Sequence, residues 1–151
     1  MDIEVDQSIR IKDAKDTVLA FSNSISRAIV IPAEVKRVAY AYLKNRYRTP
    51  KNPELKIFVA GLFLLLRDHL SKQLFITIDE EWTGAANEAS IKGMLLNYIR
   101  EVLPEFDKRH IRFARIGKKS GAHLRAYSVH QGKAKPDYVV TEKELLRLLD
   151  R

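Results

Sequence analysis

From Leu74 to the C-terminus the chain alternates between two hydrophobic periods, and that alternation constrains its fold more than any other feature. Leu74–Ile78 (LFITI) is apolar on both faces, as expected of a strand buried inside a parallel sheet. Residues 83–102 follow with Ile91, Met94, Leu95, Tyr98, Ile99 and Val102 at helical spacing. Ile111–Ile116 (IRFARI) reads as the next strand and residues 120–130 as a short helix ending near Gly132. Asp137–Val140 reads as a last strand. Thr141 and Glu144 form the sequence signature of a capping box for a final helix to Leu149. Strand, helix, strand, helix, strand, helix is the order of an α/β sheet with parallel strands.

The first half adds an antiparallel part. Thr17–Ser22 (TVLAFS) and Arg27–Ile31 (RAIVI), separated by Ser22-Asn23-Ser24, read as a β-hairpin stopped by Pro32. Residues 1–16 read as an adaptor segment with room for one short strand. Ala33–Tyr47 carries an apolar stripe of Val35, Val38, Ala39, Tyr42 and Leu43, with Lys36, Arg37, Lys44, Arg46 and Arg48 on the rest. Thr49-Pro50-Lys51-Asn52-Pro53 breaks the chain, with Asn52 as N-cap and Pro53 as first residue of a helix to about Leu70. Its middle, IFVAGLFLLL, is apolar nearly all round and should be the most buried helix. The expectation is one α/β domain over residues 1–151. Its sheet would be mixed and mostly parallel, with an N-terminal β-hairpin and helices on both faces.

Charge narrows the partners. The chain has 151 residues, a net charge of +8 and no cysteine. A disulfide scaffold, a thiolate metal site and a cysteine nucleophile are thereby excluded, and a cytoplasmic location is expected. The longest apolar stretch, Ile57–Leu66, is far short of the roughly 20 residues that a membrane span needs. Between Lys108 and Lys135 there are nine Lys and Arg (Lys108, Arg109, Arg112, Arg115, Lys118, Lys119, Arg125, Lys133 and Lys135) and no acid. A surface of that kind favours polyanions, DNA or RNA above all, although ordinary solubility charge has the same composition. Phosphate contacts of this sort confer affinity without sequence preference.

Two loops carry candidate chemistry. Asp79-Glu80-Glu81-Trp82-Thr83-Gly84 lies at the carboxyl end of the LFITI strand, where open α/β sheets bind ligands. Asp79 and Glu81 are placed to share a hard cation such as Mg²⁺ or Mn²⁺; the same acids would equally stabilise a helix start. Trp82 would stack on a base or pack in the core. Gly117-Lys118-Lys119-Ser120-Gly121-Ala122-His123 also joins a strand to a helix. Lys118, Lys119 and Ser120 suit a phosphate cradle, with Arg112, Arg115 and Arg125 as further phosphate contacts. His123, one turn into the helix, is a candidate general acid/base. No GxxxxGK[ST], HExxH, GxSxG or GxGxxG occurs. Lys135-Pro136-Asp137-Tyr138 lacks the downstream E-x-K of a PD-(D/E)xK nuclease, and Asp137 begins its strand at the wrong end for the crevice. His69 reads as structural.

A hairpin-forming front, a central strand ending in Asp79, Glu80 and Glu81, and a later helix with His123 together resemble, in layout, the RNase H-like nucleases that include RuvC-type resolvases. The resemblance spans most of the chain. It implies a divalent-metal-dependent nuclease with Asp79 or Glu81 as metal ligands, His123 at the position of a late acidic or His residue, and a homodimer if the protein is a resolvase. The family also places an Asp in its first strand. TVLAFSNS, read as that strand, has none. The carboxylates within reach are then Asp79, Glu80, Glu81 and Glu88. Two other functions fit the same residues: a non-enzymatic nucleic-acid-binding or assembly protein, and an enzyme acting on a small phosphorylated molecule.

Overall fold

DIEVDQS, at the very start of the chain, alternates apolar Ile3 and Val5 with acidic Glu4 and Asp6, which is the pattern of a strand with unlike faces. In the computed structural model it is β1 (Asp2–Ser8), one of the two middle strands of the sheet. The structure describes all residues but 24, 81–84 and 119, and leaves the side chain of Ala85 undescribed. β2 (Thr17–Asn23) and β3 (Ser26–Ile31) form the expected hairpin, and β2 also pairs antiparallel with β1. β4 (Phe75–Asp79) lies parallel to β1, and β5 (Ile111–Ala114) lies parallel to β4. β6 (Tyr138–Val139) joins the far edge, parallel to β3. The order is β5-β4-β1-β2-β3-β6, a mixed sheet in a single α/β domain. Two expectations change here. Residues 1–16 are not an adaptor, because β1 supplies the pairing surface for both halves of the sheet. The strand ending in Asp79 is interior but not central, since β1 stands between it and the hairpin.

Helices cover both faces. α1 (Ala33–Arg46), α2 (Pro53–Leu66), α3 (Ala85–Val102) and α5 (Glu142–Leu149) share one large core with Ile3, Val5, Leu19, Phe21, Ile76 and Ile78. α4 (Gly121–His130) lies alone on the other face, where Ala126 and Val129 pack against Val18, Ala20 and Ala28. Strand parity explains the division: Leu19 and Phe21 face one way, Val18 and Ala20 the other. The alanines of the minor face let α4 come close to the sheet. On the major face every residue from Ile57 to Leu66 is buried, each large side chain contributing about 1.5–3 kcal/mol. Gly61 lets α2 lie directly on the hairpin, since a Cβ there would stand 2.8 Å from Ile31 and 2.9 Å from Leu19.

Local signals were met unevenly. The capping box of Thr141 and Glu144 forms. Asn52 does precede Pro53, but in a left-handed conformation and without a side-chain cap bond. Val102 is 55% exposed, so the buried stripe of α3 ends at Ile99. Lys36 is buried instead of solvated, because its ammonium donates to the carbonyls of Asp13 (2.7 Å) and Arg10 (3.3 Å) and to Thr17 Oγ1 (2.9 Å). Three acceptors offset the cost of burying the charge and fasten the β1–β2 connection to α1. Among the described residues no helix is long and apolar enough to cross a membrane.

Candidate functional site

β1 and β4 run parallel with Glu4 opposite Thr77 and Val5 opposite Ile78. Val5 and Ile78 point into the major core, so the next residues, Asp6 and Asp79, both point to the α4 face. Two carboxylates thus stand side by side at the carboxyl ends of adjacent parallel strands, 4% and 5% exposed. Asp6 Oδ1 accepts from the amide of Gln7 at 2.8 Å, and Asp6 Oδ2 lies 2.9 Å from His123 Nδ1. Asp79 Oδ1 accepts from the amide of Ile116 at 3.3 Å, which ties β4 to the segment after β5. Burial pushes the Asp6 carboxyl up to about 6. The Gln7 amide and His123 oppose that rise, while the charge and shared hydrogen bond of Asp79 add to it.

Three local features bring His123 to Asp6. Gly117, at φ +82°, turns the chain after β5 in a conformation that favours glycine. Ser120 caps α4, its hydroxyl accepting from the His123 amide at 3.0 Å. Gly121 lets the first turn of α4 rest on β2, because a Cβ there would stand 2.5 Å from Ser22 Oγ. His123 keeps 32% of its side-chain surface exposed, so its ring bridges a buried carboxylate and solvent. Tyr127, one turn further along, holds its ring parallel to that of His123 at 6.2 Å.

The basic residues fall into two groups. Arg112 lies opposite Thr77 on β5, so it shares the face of the acids, and its Nε donates to Thr77 Oγ1 at 3.0 Å. Arg112, Arg115 and Lys118 are exposed, and Ser120 is half-buried at its capping position. Arg125, an expected phosphate contact, is engaged within the protein. It donates to Asp137 Oδ2 (3.0 Å) and to the Lys135 carbonyl (3.1 Å), joining α4 to the segment before β6. Asp137 Oδ2 also accepts from the Ala28 amide at 2.7 Å, which accounts for this acid as a structural clasp. His69 packs edge-on against Phe21 and is structural. Glu81, Trp82, Thr83, Gly84 and Lys119 lie outside the described residues. Glu88 stands in the first turn of α3, and among the described residues no cluster of three or more His, Asp or Glu is placed to hold a metal ion.

Asp6 is the functional candidate that sequence reasoning passed over. Its signal was the alternation in DIEVDQS, which marks a half-buried strand with acids along one face. Its closeness to His123, 117 residues away, has no local signature. Comparisons with protein-family models, with curated proteins and with solved structures found no match.

Proposed function

We propose that this protein binds nucleic acid and hydrolyses its phosphodiester bonds at Asp6, Asp79 and His123, in the manner of the RNase H-like nucleases. The observation that carries the reading is the pair of buried carboxylates at the ends of β1 and β4, with His123 hydrogen-bonded to one of them. The first-strand Asp that the sequence resemblance called for is then Asp6, on a strand N-terminal to TVLAFSNS.

In this reading Asp6 and Asp79, two hard oxygen donors on adjacent strand ends, would hold a divalent cation, which would offset the burial that raises Asp6 and the smaller contribution of Asp79 to that rise. Mg²⁺ or Mn²⁺ held there would polarise the phosphate and increase the acidity of water. The chain's own residues do the rest. Asp6 fixes the orientation of the His123 ring through Nδ1, leaving Nε2 for proton transfer at the solvent side. Arg112, on the acids' face, and Lys118, at the turn before α4, are exposed cations for the backbone phosphates to either side. Binding of this kind loses affinity steeply with salt.

The test is incubation of labelled single-stranded, duplex and four-way-junction DNA, and of RNA, with Mg²⁺, Mn²⁺ or EDTA. Asp79→Ala should abolish cleavage while leaving binding nearly intact. Equal loss of both would refute the assignment. Salt-sensitive binding that needs Lys118, with no cleavage under any metal, would establish the non-enzymatic binding protein instead.

A further inference from the structure

α4 carries more apolar surface than its packing uses. Ala122, Ala126 and Val129 are buried against the sheet. Arg125, on one flank, is taken up by the Asp137 clasp. His123, Leu124 and Tyr127 form the other flank, with Tyr127 four residues from His123 and three from Leu124, the spacings of helical neighbours. Leu124 is 54% exposed and Tyr127 47%. Exposed apolar residues standing singly need no explanation, but these two adjoin each other and a histidine that touches a buried acid.

The direction of α4 sets them at the rim where the acids lie. Gly121 rests on Ser22, which pairs with Glu4 of β1, and Val129 packs with Val18, which pairs with Ser8. α4 therefore advances in the same sense as β1, toward the carboxyl ends of β1 and β4. Tyr127 comes about 6 Å after His123 along the helix. Asp2 and Glu4, which share the α4 face of β1, lie back along the strand from Asp6, away from Tyr127. The Tyr127 ring is also held in place: it stands within 8° of parallel to His123, and its hydroxyl accepts from Gln131 Nε2 at 2.6 Å. A ring already fixed loses little freedom when a ligand settles on it.

Charge selects the occupant. The chain has no acid from Lys108 to Lys135, and Arg112, Arg115 and Lys118 are exposed. A second copy seated on this patch about a twofold axis would set those cations against their own images. A nucleotide answers both features, since its phosphate takes the cations and its base stacks on an aromatic side chain whatever the base is.

We propose that Tyr127 and Leu124 form a stacking platform for an unpaired base beside the phosphate at Asp6, Asp79 and His123, so that the site takes single-stranded nucleic acid in preference to duplex. Bases inside a duplex are stacked on one another and reach a side chain only once they are unpaired. The inference rests on the nucleic-acid reading of the acid pair and names its substrate class.

The test compares Tyr127→Ala and Tyr127→Phe with the parent. Tyr127 is exposed and alanine favours a helix, so the fold is not at risk. Binding of a fluorescent single-stranded dodecamer is measured by anisotropy in EDTA, with the matching duplex and inorganic polyphosphate as competitors. Tyr127→Ala should bind the single strand about tenfold more weakly, a loss of roughly 1.4 kcal/mol. Tyr127→Phe should bind it as the parent does, and duplex and polyphosphate should compete equally well against all three proteins once their own strand affinities are allowed for. Equal weakening for strand, duplex and polyphosphate, or for none, would overturn the platform, as would a phenylalanine variant as weak as the alanine one or a parent that binds no nucleic acid. Sedimentation showing a parent dimer that Tyr127→Ala dissociates would also overturn it, in favour of a second copy. Strand-specific weakening in a protein that cuts nothing with any metal would uphold the platform and defeat the nuclease.

Discussion

Replacing Asp6 by Asn should make this protein more stable while removing its proposed activity. Asp6 is 4% exposed and ionises at about 6 instead of its ordinary 3.8. Burial is the largest cause, and the neighbouring Asp79 adds to it. A group whose pKa is raised by folding costs stability in its charged form. Below pH 3.8 the carboxyl is protonated in both states and the cost vanishes. Between pH 3.8 and 6 the unfolded chain ionises first and stability falls. Above pH 6 the cost is complete. The shift from 3.8 to about 6, at ~1.4 kcal/mol for each tenfold change in proton affinity, amounts to about 3 kcal/mol. Asparagine is nearly isosteric, can still accept from the Gln7 amide, and offers an N–H to His123 or Asp79. For a chain of this length about 3 kcal/mol corresponds to a rise in Tm of roughly 6–12 °C. Thermal melts of parent and Asp6→Asn at pH 3 and pH 8 check it. The gain should be near zero at pH 3 and full at pH 8. A variant no more stable than the parent at pH 8, or a gain independent of pH, would refute the claim that ionised Asp6 strains the fold. A gain of stability at the expense of function is what a preorganised site predicts.

Two further outcomes follow from the way α4 is held. Gly121→Ala places a methyl 2.5 Å from Ser22 Oγ, which should cost about 1–3 kcal/mol and displace His123, so that cleavage falls more than stability; adding Ser22→Gly should recover most of both, as read by melts and rates. Arg125→Ala should lower Tm by breaking the Asp137 clasp while leaving the salt dependence of nucleic-acid binding unchanged, whereas Arg112→Ala should reduce that dependence by about one phosphate contact; equal effects of the two variants on the salt slope would contradict the division of roles.

Much of this architecture was legible in the chain because it rests on local pattern. LFITI, the hairpin of TVLAFS and RAIVI, the all-apolar middle of α2 and the capping box of α5 each depend on neighbours within a few residues, and each formed. The positions of Asp79 at a strand's carboxyl end and of His123 one turn into a helix were readable for the same reason. Lys36 was read as solvated because its acceptors, the carbonyls of Arg10 and Asp13 and the hydroxyl of Thr17, lie about 20 residues away, and the bond of Arg125 to Asp137 likewise has no local signature. Asp6 was the larger omission. Nothing in MDIEVDQSIR tells a strand at the sheet's edge from one at its middle, since strand order depends on pairings between segments more than 70 residues apart.

Periodicity, charge and composition therefore determined the kind of protein: an α/β sheet with helices on both faces, a basic surface, and acids and a histidine near strand ends. The tertiary structure alone decided which of those groups meet. Side-chain alternation assigns Asp6 and Asp79 each to a face, but only the parallel register of β1 with β4 makes them adjacent. A glycine against Ser22 sets the last few ångströms between α4 and the sheet, and with them the contact of His123 with Asp6. Local preferences act over one turn or one pleat, whereas a site of converging charges is built from contacts that the chain reaches only once its core has closed.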